Sequence, residues 1–200
     1  MGPLDARPAG QTARERARDL RRAAPNRVVG WLADARTGER TNRVAARAER
    51  SVARELSRLD PGWWVLHSIP LGGSGEDVDH LVIGTAGVFV LETRSHPGSE
   101  VRVNELAVMA DRRETMHLPE ARATAQQVSE RLSSACGFEV VAQPVVVVLA
   151  RHLSVKRQPP DVEVVGRRSL VRWLGERPGT QSFETAAAIH FVAVQPQTWS

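Results

Sequence analysis

Apolar side chains recur at two different spacings along the chain, and these spacings predict where helices and strands lie. In residues 42–59 they recur every three or four positions, which indicates one helix with an apolar stripe. The breaker run Asp-Pro-Gly at residues 60–62 ends this helix. A second helix is predicted over residues 119–135, with proline in its first turn and glycine just past its end. Shorter helices are predicted at 27–34, 169–174 and 183–192.

Strand patterns fill most of the chain between and after the two long helices. Three apolar runs separated by turn residues are predicted as consecutive strands, at 63–71, 78–84 and 88–93. A short strand pair is predicted at 101–103 and 106–110, and a further strand at 162–165. Residues 140–149 form a nearly continuous Val-rich run, which is typical of a strand buried on both faces. The order of elements predicts an α/β fold with a mixed central sheet flanked by helices.

Length and composition favour one domain with a short appendage. The chain has 200 residues, of which 42% are hydrophobic, and this is enough for one core. Residues 1–26 are Arg-rich without a core-forming pattern, so we predict a flexible arm before a domain at 27–200. Cys136 is the one cysteine, which excludes an internal disulfide and a cysteine-based zinc site. No signal peptide or membrane span is visible, so we expect a cytoplasmic protein without membrane association.

The charge is unevenly distributed along the chain. Residues 1–58 contain 14 Arg against 7 Asp and Glu, whereas residues 59–200 contain 13 basic and 16 acidic side chains. A basic portion beside a mildly acidic body suggests contact with nucleic acid, although a solvated helix surface gives the same pattern. Lys156 is the one lysine, so arginine stands almost everywhere that a cation is needed.

Three carboxylates and one cation form a candidate site for chemistry. Asp79 lies inside the second predicted strand and Glu92 ends the third, and the tight turn between these strands can bring both together. Converging carboxylates repel one another and select hard cations such as Mg²⁺ or Mn²⁺, which activate water for phosphate hydrolysis. Arg94 follows two positions after Glu92, on the same strand face. Glu49 lies on the first long helix.

The run at residues 78–94 resembles the central signature of the nuclease-related domain (NERD) family. It reads Val-Asp-His-Leu-Val-Ile-Gly-Thr-Ala-Gly-Val-Phe-Val-Leu-Glu-Thr-Arg, and the similarity extends over residues 41–150. The resemblance implies a divergent PD-(D/E)xK restriction-endonuclease-like core. It implies that Asp79 and Glu92 are metal ligands for Mg²⁺ or Mn²⁺, with Glu49 as a helix-borne acid and further ligand. Arg94 occupies the position of the lysine of that motif.

Three positions depart from the family signature. Ala48 replaces a glycine before Glu49, and Thr85 replaces a proline in the turn. Arg94 is the substantial departure, because arginine is planar and stays protonated, whereas lysine is a compact charge whose pKa can fall. Arginine can clamp a phosphate but cannot act as a base.

Three functions are therefore compatible with the sequence. The first is a metal-dependent endonuclease that hydrolyses DNA. The second is a catalytically weakened or inactive nuclease-like module that binds nucleic acid or a partner protein, as Arg94 and the basic arm suggest. The third is a structural module without a nucleic-acid role. His80 is predicted to point to the face opposite Asp79 as a packed histidine, and no role is predicted for His117.

Overall fold

The computed structural model describes Pro8 and residues 29–72 and 76–200, with side chains from residue 43 in the first range and 77 in the second. The predicted arm at 1–26, Pro8 excepted, lies outside the described residues, and so does most of the glycine-rich connector at 72–75.

Four α-helices lie in the described ranges. They are α1 (Val29–Leu56), α2 (His117–Cys136), α3 (Leu170–Gly175) and α4 (Phe183–Ala193). Short 3-10 helices occupy Arg167–Ser169 and Pro196–Trp199. The left-handed Gly137 ends α2, as its position in the sequence predicts. None of the helices in these ranges combines the length and apolar character that a bilayer crossing requires.

Seven strands form one mixed sheet. They are β1 (Trp64–Leu71), β2 (Glu76–Gly84), β3 (Gly87–Val103), β4 (Val108–Ala110), β5 (Arg113–Glu114), β6 (Ala142–Val155) and β7 (Glu163–Gly166). The pairs β1–β2, β2–β3, β3–β4 and β4–β5 are antiparallel, while β6 lies parallel between β3 and β7. The predicted α/β class with a mixed sheet flanked by helices is confirmed.

Strand alternation gives the sheet two apolar faces. On one face, Val88 and Val90 of β3 pack with α2, α4 and the C-terminal Trp199, which is 2% exposed. On the other face, Phe89 and Leu91 pack with α1 and α3. We call these the α2 face and the α1 face. In β6, Val145 and Val147 are buried on the α1 face, and Val146 and Val148 are buried on the other face. This confirms the prediction for the middle of the Val-rich run.

Two elements are longer than their patterns predict. One continuous helix, α1, takes in the two separate helices predicted at 27–34 and 42–59, and it ends at Leu56. Its intervening residues are mostly Ala, Arg and Glu, which propagate a helix well. Strand β3 continues through His96-Pro97-Gly98, where the sequence predicts a break, because a bulge between His96 and Glu100 absorbs the proline. Gly98 adopts a φ of 82° in that bulge.

Gly84, at the end of β2, lies directly under the indole of Trp63. A methyl group at Gly84 would lie 2.6 Å from a ring carbon of Trp63, which itself packs on Phe89. We expect Gly84→Ala to lower the free energy of unfolding by about 1–3 kcal/mol, because overpacking displaces this ring. Urea unfolding measures the change, with Gly175→Ala as a control in open space. Equal stability of the two variants would contradict this account of Gly84.

Candidate active site

Asp79 lies where strands β2 and β3 separate. The last residue pair of their ladder toward this end is His80 with Leu91, so the backbone N–H of Thr93 has no ladder partner on β2. The carboxylate of Asp79 takes that place, since its Oδ2 accepts a hydrogen bond of 2.6 Å from the Thr93 amide. Asp79 therefore closes the end of the ladder and is only partly exposed.

Glu92 and Arg94 lie one step along β3 from this point, on the α2 face. Glu92 is 5% exposed, and its Oε2 accepts a hydrogen bond from the guanidinium of Arg94. The same Arg94 nitrogen lies 3.1 Å from Oε2 of Glu120, in the first turn of α2. Arg94 therefore links a buried strand carboxylate to a helix carboxylate. Its Nε is buried and makes no hydrogen bond with any described residue.

Two histidines extend the same line of side chains. Nε2 of His96, on β3, lies 2.8 Å from Nε2 of His117, the first residue of α2. Oε2 of Glu120 lies 3.8 Å from Nδ1 of His117. Five side chains thus form a polar seam between β3 and α2: Glu92, Arg94, His96, His117 and Glu120.

Sequence reasoning missed the helical half of this seam. The alternation of residues 92, 94 and 96 on β3 was visible, and so was the three-residue spacing of His117 and Glu120 on α2. What the sequence does not supply is the packing that brings the start of α2 opposite this part of β3.

The surroundings of Asp79 at the strand separation raise its pKa. Burial and, after it, the neighbouring charge of Glu92 raise the pKa of Asp79 to about 7, against the lowering effects of the Thr93 hydrogen bond and of Arg94. Burial alone would lower the pKa of Arg94, but the carboxylates of Glu92, Asp79 and Glu120 outweigh it and raise the net value. Arg94 is therefore a permanent cation that compensates a group of acids.

The histidines of the seam remain neutral at physiological pH. Burial, together with the smaller effects of Arg94 and His96, lowers the pKa of His117 to about 4. The pKa of His96 is lowered mainly by burial and also by Arg94, against a raising effect of Asp111. A neutral pair is consistent with the short contact between the two rings, since one Nε2 can donate to the other.

Glu49 belongs to the opposite side of the sheet. It is 8% exposed and continues the stripe of Val52 and Leu56, which packs on the α1 face. Burial and then His67 lower the pKa of the fully buried His80 well below its usual value, against a raising effect of the Glu49 backbone. Nδ1 of His80 lies 2.8 Å from Nδ1 of His67, so His80 is a packed histidine, as predicted.

The fold brings together part of the predicted site. Asp79, Glu92 and Arg94 interact directly or through their charges, whereas Glu49 lies on the α1 face and has no described interaction with these three residues. Among the side chains that the structure describes, at residues 43–72 and 77–200, no group of three or more His, Cys, Asp or Glu is arranged to hold a metal ion. The three-carboxylate ligand set thus stays a prediction.

The chemistry of Asp79 and Glu92 nevertheless fits a hard divalent cation. The pKa of Asp79 is raised first by burial and then by repulsion from Glu92, and a cation between the two carboxylates would favour the ionised form. Mg²⁺ commonly takes only one or two protein carboxylates and completes its octahedron with water and substrate phosphate. Arg94 occupies one oxygen of Glu92, so a cation there would compete with this ion pair.

Fold and site together define an α/β domain with an acidic centre at a strand separation. The model of the nuclease-related domain family matches residues 45–149, more than half of the chain. The chain belongs to this family, which lies in the PD-(D/E)xK nuclease-like superfamily, and the matched segment contains Glu49, Asp79, Glu92 and Arg94.

Other comparisons add little to the family assignment. An uncharacterized protein of Bacillus anthracis is 43% identical over 54 residues, which cover 25% of this chain and 26% of that protein. The chain therefore aligns with only about a quarter of the length of this relative. No solved structure matches the chain.

Proposed function

We propose that this domain is a metal-dependent nuclease that hydrolyses phosphodiester bonds in DNA, with Asp79, Glu92 and Arg94 at the centre of a PD-(D/E)xK-type site. The observation that carries the proposal is the acid pair at the β2–β3 separation. Burial and, after it, the charge of Glu92 raise the pKa of Asp79, and one arginine compensates both carboxylates. This arrangement lies within the segment that matches the nuclease-related family.

Asp79 and Glu92 are the residues that would hold Mg²⁺ or Mn²⁺, and Glu49 is the proposed further acid from α1. The bound cation would supply Lewis-acid stabilisation of the charge that develops on the phosphate and an activated water. The Asp79 carboxylate is already oriented by the Thr93 amide, so little side-chain entropy is lost when it becomes a ligand. Glu92 is held in the same way by Arg94.

Arg94 has a role different from that of the lysine in the family motif. Three neighbouring carboxylates raise its pKa, so it cannot accept a proton from water. Its guanidinium is partly exposed, at 23%, and can donate to a phosphate oxygen in the planar geometry that arginine favours. Arg94 is therefore proposed as a phosphate clamp that also neutralises Glu92 when no cation is bound.

The test is DNA cleavage by the purified chain with Mg²⁺ or Mn²⁺ and with EDTA. Linear duplex, closed circular and single-stranded DNA are compared, because the proposal does not depend on one DNA form. We expect cleavage that needs the metal and that is lost in Glu92→Gln. Glu130→Gln, the same change at an exposed position of α2, is the matched control and keeps activity.

Absence of cleavage in every form, with no metal binding by calorimetry, would reject the proposal. This chain would then be a member of the family that does not cleave DNA. Cleavage that persists equally in Glu92→Gln would also reject the site, because the activity would not depend on the acid pair.

A further inference from the structure

A cleft with basic walls opens on the α1 face, on the side of the sheet opposite Glu92 and Arg94. It has a volume of about 640 Å³ and lies where β7 ends and where the bulge interrupts the pairing of β3 with β6. Five of its lining residues carry the argument: Ser51, Ser95, Arg151, Arg167 and Arg168. Among the described residues, no acidic side chain lines it. Clefts at the carboxyl ends of parallel strands are common ligand sites in α/β folds.

The three arginines differ in how far they are compensated. Arg167 is anchored, since its Nη1 donates to Oγ of Ser51 at 2.7 Å and lies 3.2 Å from Glu55. Arg151 is 72% exposed and lies 4.0 Å from Glu100, the outer limit of an ion pair. Arg168 is exposed and makes no ion pair with any acid in residues 43–72 or 77–200. Arg168 is thus available to an anionic ligand, while Arg151 also interacts through its charge with Asp111 and Arg167 is fixed in place.

The cleft and the candidate active site share elements of the fold but lie on opposite faces of the sheet. Ser95 directly follows Arg94 on β3 and faces the other side of the strand. Ser51 follows Glu49 by two residues on α1.

We propose that the cleft binds the sugar–phosphate backbone of nucleic acid on the α1 face of the sheet. The inference rests on the proposed function for the choice of nucleic acid as the ligand, but binding of the backbone needs neither metal nor catalysis. Arginine and serine side chains are the usual donors to phosphate oxygens. The ligand is a polyanion with repeated phosphates, since the arginines are spread over two elements and do not surround one anion.

The experiment measures binding of fluorescent duplex DNA in EDTA as a function of salt. Arg151→Glu/Arg168→Glu is compared with Arg131→Glu/Arg157→Glu, which makes the same charge change at positions outside the cleft. We expect the cleft variant to bind at least about tenfold more weakly at 0.1 M salt. The slope of log affinity against log salt should fall by about 2, because two phosphate contacts are lost. The control should retain most of the affinity and slope.

Several outcomes overturn the inference. These are no DNA binding by the native chain, equal losses in both double variants, or competition by inorganic phosphate at the same phosphate concentration as DNA. Arg151→Gln/Arg168→Gln replaces the charge reversal if that variant does not fold. Cleavage is assayed separately. If the native chain cleaves DNA and the cleft variant does so equally well, the proposed nuclease function stands and only this inference fails. If the cleft variant binds DNA more weakly but neither protein cleaves it, this inference stands and the nuclease proposal fails.

Discussion

Arg94→Met is expected to lower the free energy of unfolding by about 3 kcal/mol at pH 8. The change removes the cation that hydrogen-bonds Glu92 and lies 3.1 Å from Glu120, while it keeps most of the apolar length of the side chain. Glu92 then remains buried, with a side chain 7% exposed, beside the charge of Asp79. Loss of one partner from a buried ion pair is costly because the other charge stays desolvated. Urea unfolding measures the loss.

Mn²⁺ gives this prediction its specificity. If Asp79 and Glu92 hold a divalent cation, 5 mM Mn²⁺ should restore part of the stability of Arg94→Met, because the cation binds the folded form and replaces the missing charge. Arg131→Met, outside the seam, is the control and should show neither the loss nor the recovery. Arg94→Lys should lose less than Arg94→Met, since it keeps the charge. If Arg94→Met is as stable as the native chain and its stability does not change with Mn²⁺, both the charge compensation by Arg94 and the cation site are contradicted.

The sheet is predictable because its signals are local. The alternation at 78–84 and 88–93 and the turn at 85–87 give a hairpin, and the structure has it as β2 and β3, with Gly84 paired to Gly87. The Val-rich run gives a central strand because both its faces must be apolar. The part of β3 beyond Thr93 is less predictable. Proline and glycine there indicate a break, and only tertiary pairing with β6 keeps the strand extended.

The residues of the candidate site also differ in how far the sequence predicts their positions. Asp79, Glu92 and Arg94 follow from spacing on two strands joined by a short turn, so their proximity can be predicted. Glu120 and His117 reach Arg94 and His96 only through the docking of α2, which lies more than twenty residues along the chain. The cleft of Arg151 and Arg168 depends on the junction of three strands and has no local signature at all.

Asp79→Asn is expected to abolish metal-dependent cleavage and to make the fold more stable above neutral pH. Loss of an outer-shell partner alone costs metal sites about 10–100-fold, so loss of a proposed ligand should cost at least about 100-fold in rate. Asparagine keeps an oxygen that can accept the Thr93 amide, so the end of the β2–β3 ladder is retained. Activity and stability should therefore change in opposite directions.

The direction of the pH dependence follows from the raised pKa of Asp79. The carboxyl binds its proton more tightly in the folded chain, with a pKa of about 7, than in the unfolded chain, where the ordinary value is 3.8. The native protein should therefore lose stability relative to Asp79→Asn as the pH rises from about 4 to about 7, and the difference should then level off. Thermal or urea unfolding at pH 5, 6, 7 and 8 measures it.

Metal affinity should follow the same titration with the opposite sign, because only the ionised carboxylate is a ligand. With a pKa of about 7, the ionised fraction of Asp79 rises about tenfold between pH 6 and pH 8, and Mn²⁺ should bind the native chain about tenfold more tightly over this interval. Asp79→Asn should show weak binding that no longer changes with pH in this way. Glu130→Gln serves as the control, since it removes an acid outside the site and should keep the native pH dependence. If Mn²⁺ affinity in the native chain is independent of pH between 6 and 8, Asp79 is not the titrating ligand, and its raised pKa reflects only its position at the end of the ladder.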